Sequence, residues 1–146
     1  MDPFSVVAKE SALPTLAGKH LTERYDLPTL ATIGAILAAL AVSFGAFGTH
    51  ILKPQLDAEA IGWWHTAVQY QFWHALAVLS LGLANLPWAR LPALMLAVGA
   101  LLFSGTLYAM ALGAPRWFGA ITPFGGVAMI IGWCVLAWRA SSAKRL

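Results

Sequence analysis

Four long stretches of the chain contain no charged residue. They cover residues 27–52, 60–89, 91–115 and 117–138, and are 26, 30, 25 and 22 residues long. An α-helix rises about 1.5 Å per residue, so about 20 apolar residues cross a 30 Å hydrocarbon core. Each stretch is long enough to cross. The pattern therefore predicts an all-α fold, a four-helix transmembrane bundle.

Prolines and charges divide the chain further. Residues 1–26 form a predicted cytoplasmic tail, residues 27–140 a four-pass domain, and residues 141–146 a basic tail. Proline has no N–H to donate, so it is tolerated in the first turn of a helix and prevents continuation past the end. Prolines near residues 28, 92 and 123 mark three helix starts. The predicted spans are about 28–51, 61–84, 92–113 and 122–139.

Composition supports membrane insertion, and the basic residues give an orientation. The chain is 60% hydrophobic and 10% charged, where a soluble domain carries about 25% charged residues. With the amino terminus inside, seven Lys and Arg residues lie in the cytoplasm, and only Lys53 and Arg116 lie outside. This positive-inside bias predicts that both termini are cytoplasmic. The net charge of +3 is spread around the spans, so no nucleic-acid partner is expected.

Few polar residues lie inside the spans. No Asp, Glu, Lys or Arg is among them, which disfavours ion-coupled pumps, proton relays and voltage sensors. The single cysteine, Cys134, excludes an intramolecular disulfide. Candidate chemistry is therefore limited to histidines, amides and hydroxyls. The predicted intramembrane polar cluster consists of His50, Tyr70, Gln71, His74, Ser104 and Tyr108.

The second span carries polar residues on two faces. Gln71 and His74 are three residues apart and share one helical face, whereas His65 and Gln69 share roughly the opposite face. An unpaired polar side chain in hydrocarbon is costly, so Gln71 and His74 are expected to point inward. Their expected partners are Ser43, Ser104 or Tyr108.

Two interpretations of the histidines stay open. In one, they form interhelical hydrogen bonds that fix the packing of the bundle. In the other, two of them bind a haem or a metal ion, because neutral imidazole is a common ligand for both. His74 lies nine residues after His65, about 13 Å deeper along a helix. The histidines therefore cannot all reach one ion, and no metal or other cofactor is assigned.

Small residues recur along three of the spans. Such residues let helix backbones approach closely where lipid removes the hydrophobic drive for association. The positions assigned to helix packing are Gly45, Gly48, Gly105, Thr122, Pro123, Gly125, Gly126 and Gly132.

Four motifs occur in order along the chain: GAFGTH at 45–50, YQFWHAL at 70–76, FSGTLY at 103–108 and TPFGG at 122–126. Together they resemble a family of small bacterial inner-membrane proteins, domain of unknown function 423, which is related to eukaryotic transmembrane protein 256. The resemblance covers about residues 30–140. It implies a four-helix protein of the inner membrane and brings no established activity.

The motif residues carried over from the family coincide with the polar and glycine positions already singled out. The chain departs from the family pattern in two places: Thr49 stands where alanine is usual, and a long tail precedes Tyr25. A tail added to a compact membrane domain suggests adaptation to a particular partner.

Three functions are compatible with these features. The leading hypothesis is a non-enzymatic accessory or assembly subunit of a larger respiratory or photosynthetic membrane complex, with lipids and transmembrane helices as its partners. The alternative is a small permease or ligand-binding protein that uses His74, Gln71 and Tyr108. It predicts a water-accessible cavity between the second and third helices. The third hypothesis is a haem- or metal-carrying electron-transfer subunit.

Overall fold

The structure, a computed structural model, describes residues 28–143, all of them in helices and short connections. The four long helices are α1 (Pro28–Phe47), α2 (Ala58–Ala84), α3 (Arg90–Ala111) and α4 (Thr122–Ala143). A π-helical turn, Gly48–Leu52, extends α1, and the 3-10 turns Pro87–Ala89 and Arg116–Ala120 precede α3 and α4. The predicted tail at 1–26 and residues 144–146 of the predicted basic tail lie outside the described residues.

Local chemistry explains where the helices begin and end. Asp57 caps α2, since its carboxylate accepts a 2.7 Å hydrogen bond from the Ala60 N–H, which would otherwise lack a partner in the first turn. Asn85 ends the same helix in the left-handed conformation, with φ of 54°. Gly113 follows α3 with φ of +97°, a conformation that glycine adopts without steric cost.

The helices pack in sequence order. α2 and α3 form the inner pair, α1 lies against α2, and α4 lies against α3. Within residues 28–143, α1 and α4 share no packed interface. This arrangement leaves the two outer helices exposed. In the apolar 18-residue stretch of each outer helix only 22% of the residues are buried, against 50% in that of α3. Much of the apolar surface of α1 and α4 therefore faces outward.

Glycines set the closest helix contacts. Gly34 of α1 meets the backbone of Leu79, and Gly82 of α2 meets the backbone of Ala31. Because these contacts lie near one end of the pair and Gly48 meets Trp64 near the other, α1 and α2 run side by side over nearly their full length. A larger residue at any of the three glycines would force the helices apart.

Hydropathy confirms part of the predicted architecture. The fold is all-α with four long helices, and three segments are apolar and long enough to cross a membrane: Thr29–Leu52, Pro87–Ala111 and Arg116–Ser142. α2 is not among these segments. Its polar residues lower its mean hydropathy, although it has the length of a span.

One glycine assigned to helix packing does not serve that role. A Cβ at Gly105 would meet nothing within 4 Å, because this residue faces away from the neighbouring helices. At Gly45 and Gly126 an added Cβ would make only ordinary contacts, at 3.5 Å and 3.9 Å. Gly48, Gly125 and Gly132 do lie at close approaches.

Candidate functional site

Two buried polar side chains tie α2 to its neighbours. The Gln71 amide donates a 2.9 Å hydrogen bond to the Leu37 carbonyl of α1. The Ser104 hydroxyl of α3 donates one of the same length to the Ala67 carbonyl of α2. Gln71 is 4% exposed and Ser104 is 1% exposed. Both side chains therefore satisfy their donors inside the protein by using a backbone oxygen on the adjacent helix.

His74 has a partner on each ring nitrogen. Its Nδ1 lies 2.8 Å from the Tyr70 carbonyl, and its Nε2 accepts a 3.2 Å hydrogen bond from the Trp133 indole of α4. A carbonyl oxygen can only accept, so the proton of the neutral ring belongs on Nδ1. The Tyr70 ring stacks on the imidazole with the centroids 6.0 Å apart. Metal or haem ligation through Nε2 would have to break the bond to Trp133.

A third polar contact joins α3 to α4. The hydroxyls of Thr106 and Thr122 lie 2.8 Å apart, and both residues are buried. Thr106 also lies 2.9 Å from the Phe103 carbonyl. Thr122 lies 3.5 Å from the Phe118 carbonyl, so either hydroxyl can be the donor in the contact between them.

Tyr108 lies apart from these bonds, in an aromatic cluster with Phe44 and Trp64. Its ring centroid is 5.0 Å from that of Phe44 and 4.6 Å from that of Trp64. The Trp64 indole donates a 2.8 Å hydrogen bond to the Phe44 carbonyl. The Tyr108 hydroxyl is buried and has no hydrogen-bond partner among residues 28–143. It is the least satisfied polar group of the described interior.

Three cavities open near these residues. An apolar cavity of 470 Å³ adjoins the aromatic cluster and is lined by Ser43, Phe44, Phe47, Trp64, Tyr108 and Leu112. A second, of 510 Å³, lies beside the ion pair between Arg116 and Glu59, whose N–O distance is 2.9 Å. The third, of 430 Å³, is a groove between α1 and α2. Gln71 and His74 line none of the three.

The six predicted polar residues therefore do not form one site. Gln71, Ser104 and His74 make separate helix-to-helix bonds, Tyr108 belongs to the aromatic cluster, and His50 is exposed in the π-helical turn. The partners expected for Gln71 and His74 are wrong. Ser43 donates back to the Ala39 carbonyl of its own helix, Ser104 donates to the Ala67 carbonyl, and the Tyr108 hydroxyl makes no hydrogen bond within residues 28–143.

Two of the hydrogen-bond partners were not predicted from the sequence. Trp133 supplies the partner of His74, and Thr106 supplies the partner of Thr122. The position of Trp133 inside the fourth span, away from its ends, was the available signal that the indole packs between helices. Within residues 28–143, no three His, Cys, Asp or Glu side chains come together as they would around a metal ion.

Comparison with known proteins gives the family. Residues 44–126 match the profile described as Protein of unknown function (DUF423). The chain is 38% identical over 129 residues to UPF0382 inner membrane protein YgdD of Escherichia coli K12, which covers 86% of this chain and 95% of that protein. No solved structure matches the chain.

Two further relatives belong to the same family. A UPF0382 membrane protein of Staphylococcus epidermidis is 44% identical over 110 residues, covering 71% of this chain and 88% of its own length. One from Haemophilus influenzae is 40% identical over 118 residues, covering 79% and 95%. These matches, together with three helical segments apolar and long enough to cross a membrane, confirm the predicted family and the predicted location. The chain is a multi-pass inner-membrane protein and belongs to the DUF423 (UPF0382) family.

Proposed function

We propose that this protein is a non-enzymatic accessory or assembly subunit of a larger respiratory or photosynthetic membrane complex. The observation that carries the proposal is that Gln71, His74, Ser104 and Thr106 all pair within the helix layer. Side chains held in this way fix helix positions and are not available to a substrate. The outward apolar faces of α1 and α4 supply surface for the transmembrane helices of other subunits.

The same proposal includes four membrane crossings with both termini in the cytoplasm. α2 has 27 residues, or about 40 Å of helix. It lies along α1 from Ala31 to Gly48, so a membrane that α1 crosses surrounds α2 as well. At one end of the layer, an ion pair joins Glu59 in the first turn of α2 to Arg116 in the connection between α3 and α4. At the other end, Arg139 donates to the Trp88 carbonyl over 2.7 Å.

Cysteine labelling tests this topology. In a Cys134→Ser background, an impermeant maleimide should label Lys53→Cys from outside the cell and Asn85→Cys only after the membrane is opened. Both positions are exposed residues in connections, so they form a matched pair. Labelling of both from the same side would rule out a crossing by α2.

Co-purification tests the subunit role. The tagged full chain, extracted from its native membrane in mild detergent, should bring down a stoichiometric set of other membrane proteins identified by mass spectrometry. A chain lacking residues 1–24 should recover less of them while keeping its helical circular dichroism. Recovery of the chain without other subunits would contradict the proposal. If the chain lacking residues 1–24 recovers the other proteins in full, the tail is not needed for the association.

One observation favours a ligand-binding function as the second candidate. The unpaired Tyr108 hydroxyl lies beside the 470 Å³ apolar cavity, which could hold a small apolar molecule with one hydrogen-bonding group. In this case Tyr108→Phe should weaken ligand binding, and His74→Ala should leave it unchanged, because His74 does not line the cavity. Native mass spectrometry of the purified chain would detect the bound molecule.

A further inference from the structure

Gln69 is a polar residue that the fold leaves exposed near the middle of α2. It is exposed on α2, two residues from the midpoint of a 27-residue helix, and therefore about 3 Å from that midpoint along the axis. If α2 crosses the membrane, as the proposed function requires, this amide lies near the centre of the hydrocarbon. Within the described part of the chain no hydrogen bond reaches it.

Three exposed hydroxyls on the same two helices bond to their own helix. The hydroxyls of Ser43, Thr66 and Ser80 each donate to the carbonyl four residues earlier, at 2.9, 3.0 and 2.8 Å. Gln69 makes no such bond. An unpaired amide at this depth is costly, so it marks a surface that another polar group covers.

Gln69 lies in a groove between α1 and α2, and an aromatic side chain projects beside this groove. Small residues of α1, Ala41, Gly45 and Ala46, line one side of a 430 Å³ depression, and Phe72 and Trp73 of α2 line the other. Trp73 is 56% exposed. A projecting aromatic residue and a groove of small residues therefore lie side by side on one face.

We propose that this face binds a second copy of the same chain around a two-fold axis, with the two Gln69 amides hydrogen-bonded to each other. A two-fold contact joins one patch to itself, so the projecting aromatic side chain of each copy can enter the groove of the other. A glutamine amide carries both donors and an acceptor. Two such amides can therefore exchange two hydrogen bonds, which supplies what each copy lacks alone. Close backbone approach at small residues is the usual geometry of such contacts in membranes.

Disulfide crosslinking of the full chain in its native membrane tests the proposal. In a Cys134→Ser background, Gln69→Cys should form an oxidised dimer with itself. The natural Cys134 is the matched control, because it is exposed on α4, on the other edge of the layer and at a similar distance from the middle of its helix. The unmodified chain should therefore yield little dimer under the same oxidation.

A second measurement separates a specific pair from collision. Energy transfer between labelled chains in phospholipid vesicles should show that Gln69→Leu raises the dimer dissociation constant about tenfold, since two interhelical bonds are lost. Gln69→Asn, which keeps the amide, should change it less. An unaffected dimer would overturn the role of the amide.

The alternative occupants give different results. If Gln69→Cys and the natural Cys134 give equal amounts of disulfide-linked dimer, or if neither gives any, the proposal is overturned. Crosslinking of Gln69→Cys to another protein would assign the face to a foreign helix. Dimer that forms only after deletion of residues 1–24 would show that the tail covers the amide. If the chain is a monomer but other subunits still co-purify with it, only the dimer proposal is overturned. If the chain forms the dimer but no other subunit co-purifies with it, only the subunit role is overturned.

Discussion

The contact between α3 and α4 gives the sharpest test of the structure. An alanine Cβ at Gly125 would lie 2.5 Å from the Phe103 nitrogen and 2.7 Å from the Gly99 carbonyl oxygen. Both atoms belong to the α3 backbone, so no side-chain rotation can relieve the overlap. The two helices would have to separate.

The expected magnitude follows from comparison with Gly105, where the same substitution meets nothing within 4 Å. Alanine favours a helix over glycine by up to about 1 kcal/mol, and this gain applies at both positions. The overlap itself costs about 1–3 kcal/mol, the usual range for forcing extra volume into a packed contact. Gly125→Ala should therefore be about 1–3 kcal/mol less stable than Gly105→Ala.

Unfolding of purified chain in mixed detergent micelles, followed by helical circular dichroism, measures this difference. Gly126→Ala is the neighbouring control, because its added carbon would be 3.9 Å from the nearest atom, on the Phe103 ring. It should behave like Gly105→Ala. If the three variants unfold within about 0.5 kcal/mol of one another, the close α3–α4 approach is wrong.

Two further predictions concern the interhelical hydrogen bonds. Trp133→Phe removes the bond to His74 and should lower the unfolding free energy by about 0.6–2 kcal/mol, whereas Trp73→Phe should cost less because no bond from that indole is present among the described residues. Thr106→Val and Thr122→Val should each cost about 1 kcal/mol, and the double variant should cost little more than either, since one shared contact is lost. Additive costs in that cycle would contradict the contact.

The sequence predicted the helices well because their signals are local. Long uncharged stretches and prolines at the first turns act within a few residues. The burial of Gln71 and Ser104 also followed from the cost of leaving polar groups in lipid. Their partners could not be predicted, because both bond to backbone carbonyls. Every residue carries such a carbonyl, so the choice depends on helix register alone.

The glycines illustrate the same limit. Gly99 and Gly105 lie on the same helix, yet a Cβ added at Gly99 would lie 2.9 Å from the Gly125 carbonyl oxygen, and one added at Gly105 would meet nothing within 4 Å. Composition makes both residues candidates for close packing. Only the rotation of α3 about its axis, set by its contacts with both neighbours, decides which one faces another helix.

The low hydropathy of α2 follows from its place in the fold. Because α1 and α3 cover it on two sides, α2 can carry Gln71 and His74 where an outer helix would expose them to lipid. The same side chains supply the bonds that hold α1 and α4 in place. A scale that measures transfer into lipid therefore undervalues a helix that other helices cover on two sides. Gln69, near the middle of α2, is left exposed by both neighbours, and this is why its face is expected to be covered by a second chain.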